Sequence, residues 1–166
     1  MVERQRGATH AERLTRQARV DRERSAFLEE QIQGQNSALV DACAPLLDSE
    51  LFSDLTPDDF LWLAQHGDLR CYASGDVVIR QGEASSFLAI VVDHSVEVVT
   101  GECTIAVGSA ETIGEMGLIT GEPRSATVVA GPQGVALFEV PSDAFEDLLQ
   151  RSPQFNRGLL RELAKR

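Results

Sequence analysis

The stretch that decides the fold runs from Ile113 to Val128 and reads IGEMGLITGEPRSATV. Gly114 and Gly117 carry no Cβ, so backbone and a ligand can approach each other closely there. Glu115 offers two acceptor oxygens, which suit a hydroxyl group, and Arg124 offers a fork of donors that matches two phosphate oxygens. The pattern predicts a pocket for a small phosphate ester.

The same stretch contains a turn and a second polar contact. Gly121 and Pro123 bracket the turn, and the Ser125 hydroxyl follows the arginine. Two plainer interpretations stay open: Arg124 as a surface arginine paired with Glu122 or Glu115, and Ser125 as a turn hydroxyl. The candidate ligand-binding residues are Gly114, Glu115, Met116, Gly117, Arg124, Ser125 and Ala126.

This segment closely resembles the phosphate-binding cassette of cyclic nucleotide-binding domains. That family has a Gly-Glu-x-(Ala/Gly)-Leu run, a short turn, and then Arg-(Ala/Ser/Thr)-Ala-Thr-Val. Residues 114–118 and 124–128 match it in order and spacing. The resemblance extends over residues 45–166, because 72–83 are similar to the strand and turn that precede the cassette and 140–145 to the start of the closing helix.

The chain departs from the family pattern at four positions. The turn after Glu83 is about one residue short, and His94 precedes Ser95 where a glycine usually makes a hairpin turn. Met116 replaces a common Leu, and Ile113 replaces a common Phe. The short turn is expected to change the shape of the pocket rim. It favours an alternative in which the domain keeps its fold but binds no ligand.

Short β-rich runs separated by turn residues occupy residues 69–140 and predict a β-sandwich or jelly roll. The predicted strands are Val77 to Ile79, Phe87 to Val92, Val96 to Val99, Thr104 to Val107, Ala126 to Ala130 and Val135 to Val140. Helical patterns flank them on both sides. The predicted class is mainly β with flanking helices, and the resemblance implies a jelly-roll β-barrel with N-terminal helices and C-terminal lid helices.

Two regions are predicted along the chain. Residues 1–36 form a polar, Arg-rich N-terminal arm, either a helix that docks or dimerises or a solvated, partly disordered tail. Residues 37–166 form the domain, with a helical entry at 37–68, the β-roll at 69–140 and C-terminal helices at 141–166. In the entry, Thr56 is predicted to cap a helix that begins at Pro57.

The charge distribution limits the partners of this domain. Residues 25–150 contain 21 acidic and three basic residues, a net formal charge of −18. Such a body repels nucleic-acid backbones and anionic membranes, so direct binding to either is not expected. An anionic ligand needs a local cation, and Arg124 is the only basic residue between Arg80 and Arg151.

Sequence features of enzymes and metal sites are weak in this chain. The three histidines are far apart and do not have metal-ligand spacing, which also weakens a metal-binding cupin as an alternative. No nucleophile elbow or P-loop motif occurs, and the single lysine is Lys165. The three cysteines form no Cys-x-x-Cys pair, which favours a protein of the reducing cytoplasm. We therefore expect a non-enzymatic protein without a metal or cofactor.

The resemblance implies a sensor for a cyclic nucleotide, with cyclic AMP favoured over cyclic GMP. Arg124, Ser125 and backbone N–H groups near Gly117 would hold the cyclic phosphate, and Glu115 would accept a hydrogen bond from the ribose. The C-terminal helices would cover the base, with Leu159, Leu160 and Leu163 as the expected lid residues. The signal would pass to a protein partner or act through self-association. Residues 1–36 are the candidate segment for either contact. The alternative is a degenerate, ligand-free interaction domain.

Overall fold

The structure is a computed structural model that describes residues 18–19, 22 and 45–165 of the 166-residue chain. Ala18, Arg19 and Arg22 are helical and exposed, and the rest of the predicted N-terminal arm lies outside the described residues. Residues 45–48 are helical. Within the described part of the chain, the helices are too short or too polar to cross a membrane.

Six antiparallel strands form the body of the protein. They pair in the order β1-β6-β3-β4, with β2 also on β6 and β5 also on β3. This architecture confirms the predicted class, mainly β with flanking helices. The strands are β1 (Asp68–Tyr72), β2 (Val77–Ile79), β3 (Phe87–Thr100), β4 (Cys103–Val107), β5 (Thr112–Ile113) and β6 (Thr127–Pro141).

Two long strands replace four predicted short ones, so the predicted breaks near His94 and Gly131 were wrong. β3 and β6 pair from Phe87 opposite Pro141 to Val99 opposite Thr127, although residues 131–134 of β6 lie outside this register. The ladder contains two register shifts, one between Val91 and Asp93 and one between His94 and Val96, and His94 takes a left-handed conformation (φ 63°) in this irregular region. A bulge bends a strand without ending its ladder, and turn-like residues in the sequence do not distinguish a bulge from a hairpin.

Four further helices lie within the described residues 57–164, and two of them begin at a side-chain cap. They are α1 (Pro57–His66), α2 (Glu115–Thr120), α3 (Ser142–Arg151) and α4 (Pro153–Ala164). The Thr56 hydroxyl accepts a hydrogen bond from the Asp59 N–H (3.2 Å), which confirms the predicted cap of α1. The Ser152 hydroxyl caps α4 in the same way by accepting from the Phe155 N–H (3.2 Å).

The sheet separates two apolar clusters, because successive side chains of a strand point to opposite faces. In β3, Leu88 and Ile90 pack with the helices at one end of the domain. Ala89 and Val91 pack instead inside the roll, with residues of β2 and β6. Strand β3 is therefore packed on both faces.

The C-terminal helix α4 packs against the helical end of the domain. Phe155 is fully buried, and its ring lies 5.6 Å from that of Phe52 and 5.7 Å, edge to face, from that of Phe145. Two of the three predicted lid residues, Leu159 and Leu163, also pack into this cluster. The structure therefore places them in a core rather than over a pocket, since α4 already has an apolar surface to cover.

The Phe155→Ala variant should lose about 3–5 kcal/mol of unfolding free energy, because the change leaves a cavity in a fully buried aromatic cluster. Leu160→Ala is the matched control on the same helix. Leu160 is 66% exposed, so its truncation should change the unfolding free energy by less than about 0.5 kcal/mol. Urea unfolding of both variants checks this. Equal losses would show that α4 does not pack as described.

Candidate functional site

The cassette is a short helix between two glycines in the left-handed conformation. Gly114 (φ 79°) ends β5 and begins α2, and Gly121 (φ 72°) ends it. The Gly121 N–H donates to the Gly117 carbonyl at 3.0 Å, which closes the helix. Glycine adopts this backbone conformation without steric cost, so the two glycines fix the length of α2.

Gly114 and Gly117 lack a Cβ where other atoms of the protein approach closely. A Cβ on Gly114 would lie 2.5 Å from Nη1 of Arg124, and a Cβ on Gly117 would lie 1.8 Å from the hydroxyl of Ser85. On the sequence alone, these glycines indicate the close approach of a ligand. In the structure, the space beside them holds the arginine and the loop before β3.

Arg124 is buried, at 6% exposure, and its guanidinium is held by backbone carbonyls. Nη1 donates to the Gly114 carbonyl (2.6 Å), and Nη2 donates to the Phe87 carbonyl (2.5 Å). The guanidinium carbon lies 5.0 Å from the centre of the Phe87 ring. The interpretation of Arg124 as a surface arginine was therefore wrong.

The backbone of Arg124 is fixed as firmly as its side chain. Its N–H donates to the Glu83 carbonyl (2.8 Å), and its carbonyl accepts from the Gly82 N–H (2.8 Å). These bonds join the cassette to the short turn between β2 and β3, which is one of the departures from the family pattern. The turn is therefore part of the site.

Burial and nearby carboxylates act on Arg124 in opposite directions. Desolvation by burial lowers the pKa of the guanidinium, and the negative charges of Glu115 and Glu83 partly offset this. An arginine stays protonated in proteins even so. Glu115 is 1% exposed, so the site contains a buried cation and a buried carboxyl side chain within an acidic body.

A cavity of about 280 Å³ opens beside these two side chains. This volume is near the lower end of the range for small-molecule sites, which begins at about 300 Å³. All seven residues predicted from the sequence line it, and their role in binding stays a prediction. They are Gly114, Glu115, Met116, Gly117, Arg124, Ser125 and Ala126.

Sequence reasoning missed the apolar walls of the cavity. They consist of residues on five strands, namely Ile79, Val98, Ile105, Val107, Thr112, Ile113 and Val128. Val98 pairs with Ile105 across β3 and β4, and Ile105 is 63% exposed. The alternation in β4 identifies Ile105 and Val107 as residues on one face, but only the pairing shows that this face belongs to the site.

Trp62 is not among the residues that line this cavity. Its ring stacks on His66 at 4.1 Å, and the guanidinium of Arg151 lies 4.9 Å from its centre. Arg151 also pairs with Asp59 at 3.4 Å, so this group joins α1 to α3. Among the described residues, no three His, Cys, Asp or Glu side chains are grouped as a metal site.

Comparison with known proteins supports the interpretation of the cassette. The family model described as the cyclic nucleotide-binding domain matches residues 69–152, which confirms the resemblance. A cyclic nucleotide-gated potassium channel of Mesorhizobium japonicum is 36% identical over 104 residues. This match covers 63% of the chain and 29% of the channel, so the chain spans less than a third of that relative's length.

Solved structures show the same fold. The catabolite activator protein of Thermus thermophilus has 27% identity and a TM-score of 0.63, over 70% of this chain and 57% of that one. The sensor domain of the transcriptional regulator DNR from Pseudomonas aeruginosa has 22% identity and a TM-score of 0.64, over 73% of this chain and 89% of that one. At this lower identity the likeness concerns the fold alone.

Proposed function

The chain belongs to the cyclic nucleotide-binding domain family, and from that premise we propose that it is a regulatory sensor that binds one cyclic purine nucleotide. The observation that carries this proposal is the pair of buried ionisable side chains, Arg124 and Glu115, on the wall of one cavity. In a body with a net charge of −18 between residues 25 and 150, this arginine is the cation available to an anionic ligand there. The family fold is regulatory, and we propose no catalytic step for this chain.

Arg124 keeps donors for a phosphate after it has bound the protein. A guanidinium has five N–H donors, and the two carbonyl bonds use two of them. The others are available to phosphate oxygens, together with the exposed hydroxyl of Ser125 and backbone N–H groups near Gly117. Glu115 then accepts the hydrogen bond of the ribose hydroxyl from inside the cavity.

The remaining walls favour cyclic AMP over cyclic GMP. Apart from Thr112, the lining outside the cassette is aliphatic and consists of Ile79, Val98, Ile105, Val107, Ile113 and Val128. Guanine carries a 6-carbonyl, an N1–H donor and a 2-amino group where adenine carries a single 6-amino group, so guanine would bury more polar groups against this aliphatic lining. A buried polar group that loses its partners costs about 1–3 kcal/mol.

Titration calorimetry with cyclic AMP and cyclic GMP tests the proposal directly. We expect one site per chain, with tighter binding of cyclic AMP. The second candidate function is a ligand-free interaction domain, which the short turn after Glu83 and the carbonyl bonds of Arg124 favour. If neither nucleotide gives a heat of binding or a thermal shift, the result excludes the sensor function and supports the ligand-free interaction domain.

A covering role for α4 requires it to exchange partners. In this structure, the apolar face of α4 packs into the helical core, and Arg161 and Lys165 pair with Asp54 and Glu50 of the entry segment. We propose that nucleotide binding draws α4 away from these contacts and over the base. This change would carry the signal to a partner in the cytoplasm, the compartment that the cysteine spacing favours.

Glu115→Gln should weaken binding by roughly tenfold to a hundredfold, because a hydrogen bond to a charged acceptor contributes about 1.5–3 kcal/mol. A 2′-deoxy cyclic nucleotide should show the same loss with the unmodified protein. The two losses should not add, since both remove one interaction. Calorimetry of the four combinations checks this. A mutant that still discriminates fully against the deoxy ligand would exclude Glu115 as the ribose partner.

Deleting residues 1–36 should leave nucleotide affinity within about threefold and change self-association or partner binding, because the arm is proposed to act outside the pocket. Sedimentation and calorimetry of the full and shortened chains measure the two effects separately. Residues 1–36 contain seven arginines and six acidic residues, so the full chain with a neutral residue in place of Arg4 is the control for net charge. Loss of nucleotide binding on deletion would assign the arm to the pocket instead.

A further inference from the structure

We propose that Phe87 is a positioning residue that orients Arg124 for phosphate binding, an inference that rests on the proposed function of the site. Phe87 is the first residue of β3 and lies 37 residues before Arg124 in the chain. The cassette motif does not include it. Two separate contacts join it to the guanidinium, one from its backbone and one from its ring.

The backbone contact fixes the direction of the guanidinium fork. The Phe87 carbonyl accepts from Nη2 at 2.5 Å, while the Gly114 carbonyl accepts from Nη1 at 2.6 Å. A planar group with a hydrogen bond to each terminal nitrogen has a defined plane and a defined rotation. The donors that remain are therefore fixed before any ligand arrives.

The ring contact acts on the charge. The guanidinium carbon lies 5.0 Å from the Phe87 ring centre, within the range of a cation–π interaction. Arg124 is 6% exposed, so the ring replaces part of the water that the cation lost on burial. An arginine held in this way does not have to lose side-chain freedom when a phosphate binds, and such preorganisation raises affinity.

Phe87 is not among the described residues that line the cavity. It therefore acts through Arg124. The segment before it supports the same function. The backbone bonds of Arg124 to Gly82 and Glu83 hold the middle of this turn, residues 80–86, against the cassette. The short turn thus places the carbonyl and the ring of Phe87 against the buried guanidinium of Arg124.

The binding test compares Phe87→Leu with Phe87→Tyr by calorimetry with cyclic AMP. Phe87→Leu should weaken binding roughly threefold to thirtyfold, the range expected for loss of a partly desolvated cation–π contact. Phe87→Tyr keeps the ring and should bind within about twofold of the unmodified protein. In an Arg124→Gln background, which removes the cation, Phe87→Leu should have an effect below about twofold.

Val78→Ala is the matched packing control, because Val78 is half-buried in the same cluster and does not line the cavity. It should bind as the unmodified protein does. The inference is overturned if Phe87→Leu binds normally, if it weakens binding equally in both backgrounds, or if Val78→Ala or Phe87→Tyr weakens binding as much.

A measurement without ligand separates this inference from the proposed function. In ¹⁵N–¹H spectra of the nucleotide-free protein, the guanidinium signal that disappears in Arg124→Lys belongs to Arg124. Its exchange with water should be slow, and Phe87→Leu should accelerate it at least threefold while Phe87→Tyr should not. Slow exchange unchanged in Phe87→Leu would overturn the positioning role. A protein that shows the expected exchange but binds no nucleotide would contradict only the proposed function.

Discussion

Arg124→Ala should lower the affinity for a cyclic nucleotide by roughly tenfold to several hundredfold, because charge-assisted hydrogen bonds to phosphate contribute about 1.5–3 kcal/mol each. The surroundings strengthen this expectation. Three basic residues stand among 21 acidic ones between residues 25 and 150, so removing this cation leaves a phosphate in a repulsive field. Calorimetry on the purified variant gives the loss directly.

The Arg80→Ala variant is the matched control for charge. Arg80 is exposed and does not belong to the cavity lining of the described chain, so its removal changes the net charge equally without touching the site. It should change affinity by less than about threefold. A second control is needed for folding, because Arg124 also satisfies the carbonyls of Gly114 and Phe87. Arg124→Ala that keeps both its native circular dichroism and full affinity would exclude the phosphate role.

The sequence allowed the cassette and the fold class to be predicted because both depend on local patterns. The turn glycines, Glu115 and Arg124 occur within 11 consecutive residues, and the structure places all the predicted cassette residues around one cavity. Helix starts were predictable for the same reason, since the Thr56 cap is read over four residues. Patterns of this length do not depend on which strand lies beside which.

The parts that were missed depend on pairing between distant segments. Ile105 belongs to the cavity because β4 pairs with β3, and Phe87 reaches Arg124 because β3 begins beside the cassette. The continuity of β3 and β6 was missed because a bulge and a hairpin turn use similar residues. The position of α4 also depended on tertiary contacts: the periodicity identified an apolar face on the helix but not the surface it covers.

Gly114→Ala should reduce nucleotide affinity at least tenfold, although alanine adds only one methyl group. The new Cβ would lie 2.5 Å from Nη1 of Arg124 and 3.3 Å from its Cζ, so the guanidinium has to leave its place against the Gly114 carbonyl. The positive φ of 79° adds about 1–2 kcal/mol of backbone strain, which lowers the unfolding free energy. The loss of affinity follows from the displaced donors, each of which contributes about 1.5–3 kcal/mol.

Gly121→Ala separates strain from displacement. Gly121 has nearly the same backbone conformation (φ 72°), but no atom lies within 4 Å of its added Cβ. It should therefore lose a similar 1–2 kcal/mol of stability and keep nucleotide affinity within about threefold. Urea unfolding and calorimetry on both variants measure the two effects independently. If both variants lost affinity equally, backbone strain in the cassette would be the cause. A loss confined to Gly114→Ala shows that this glycine is needed because the buried arginine occupies the space where a side chain would stand.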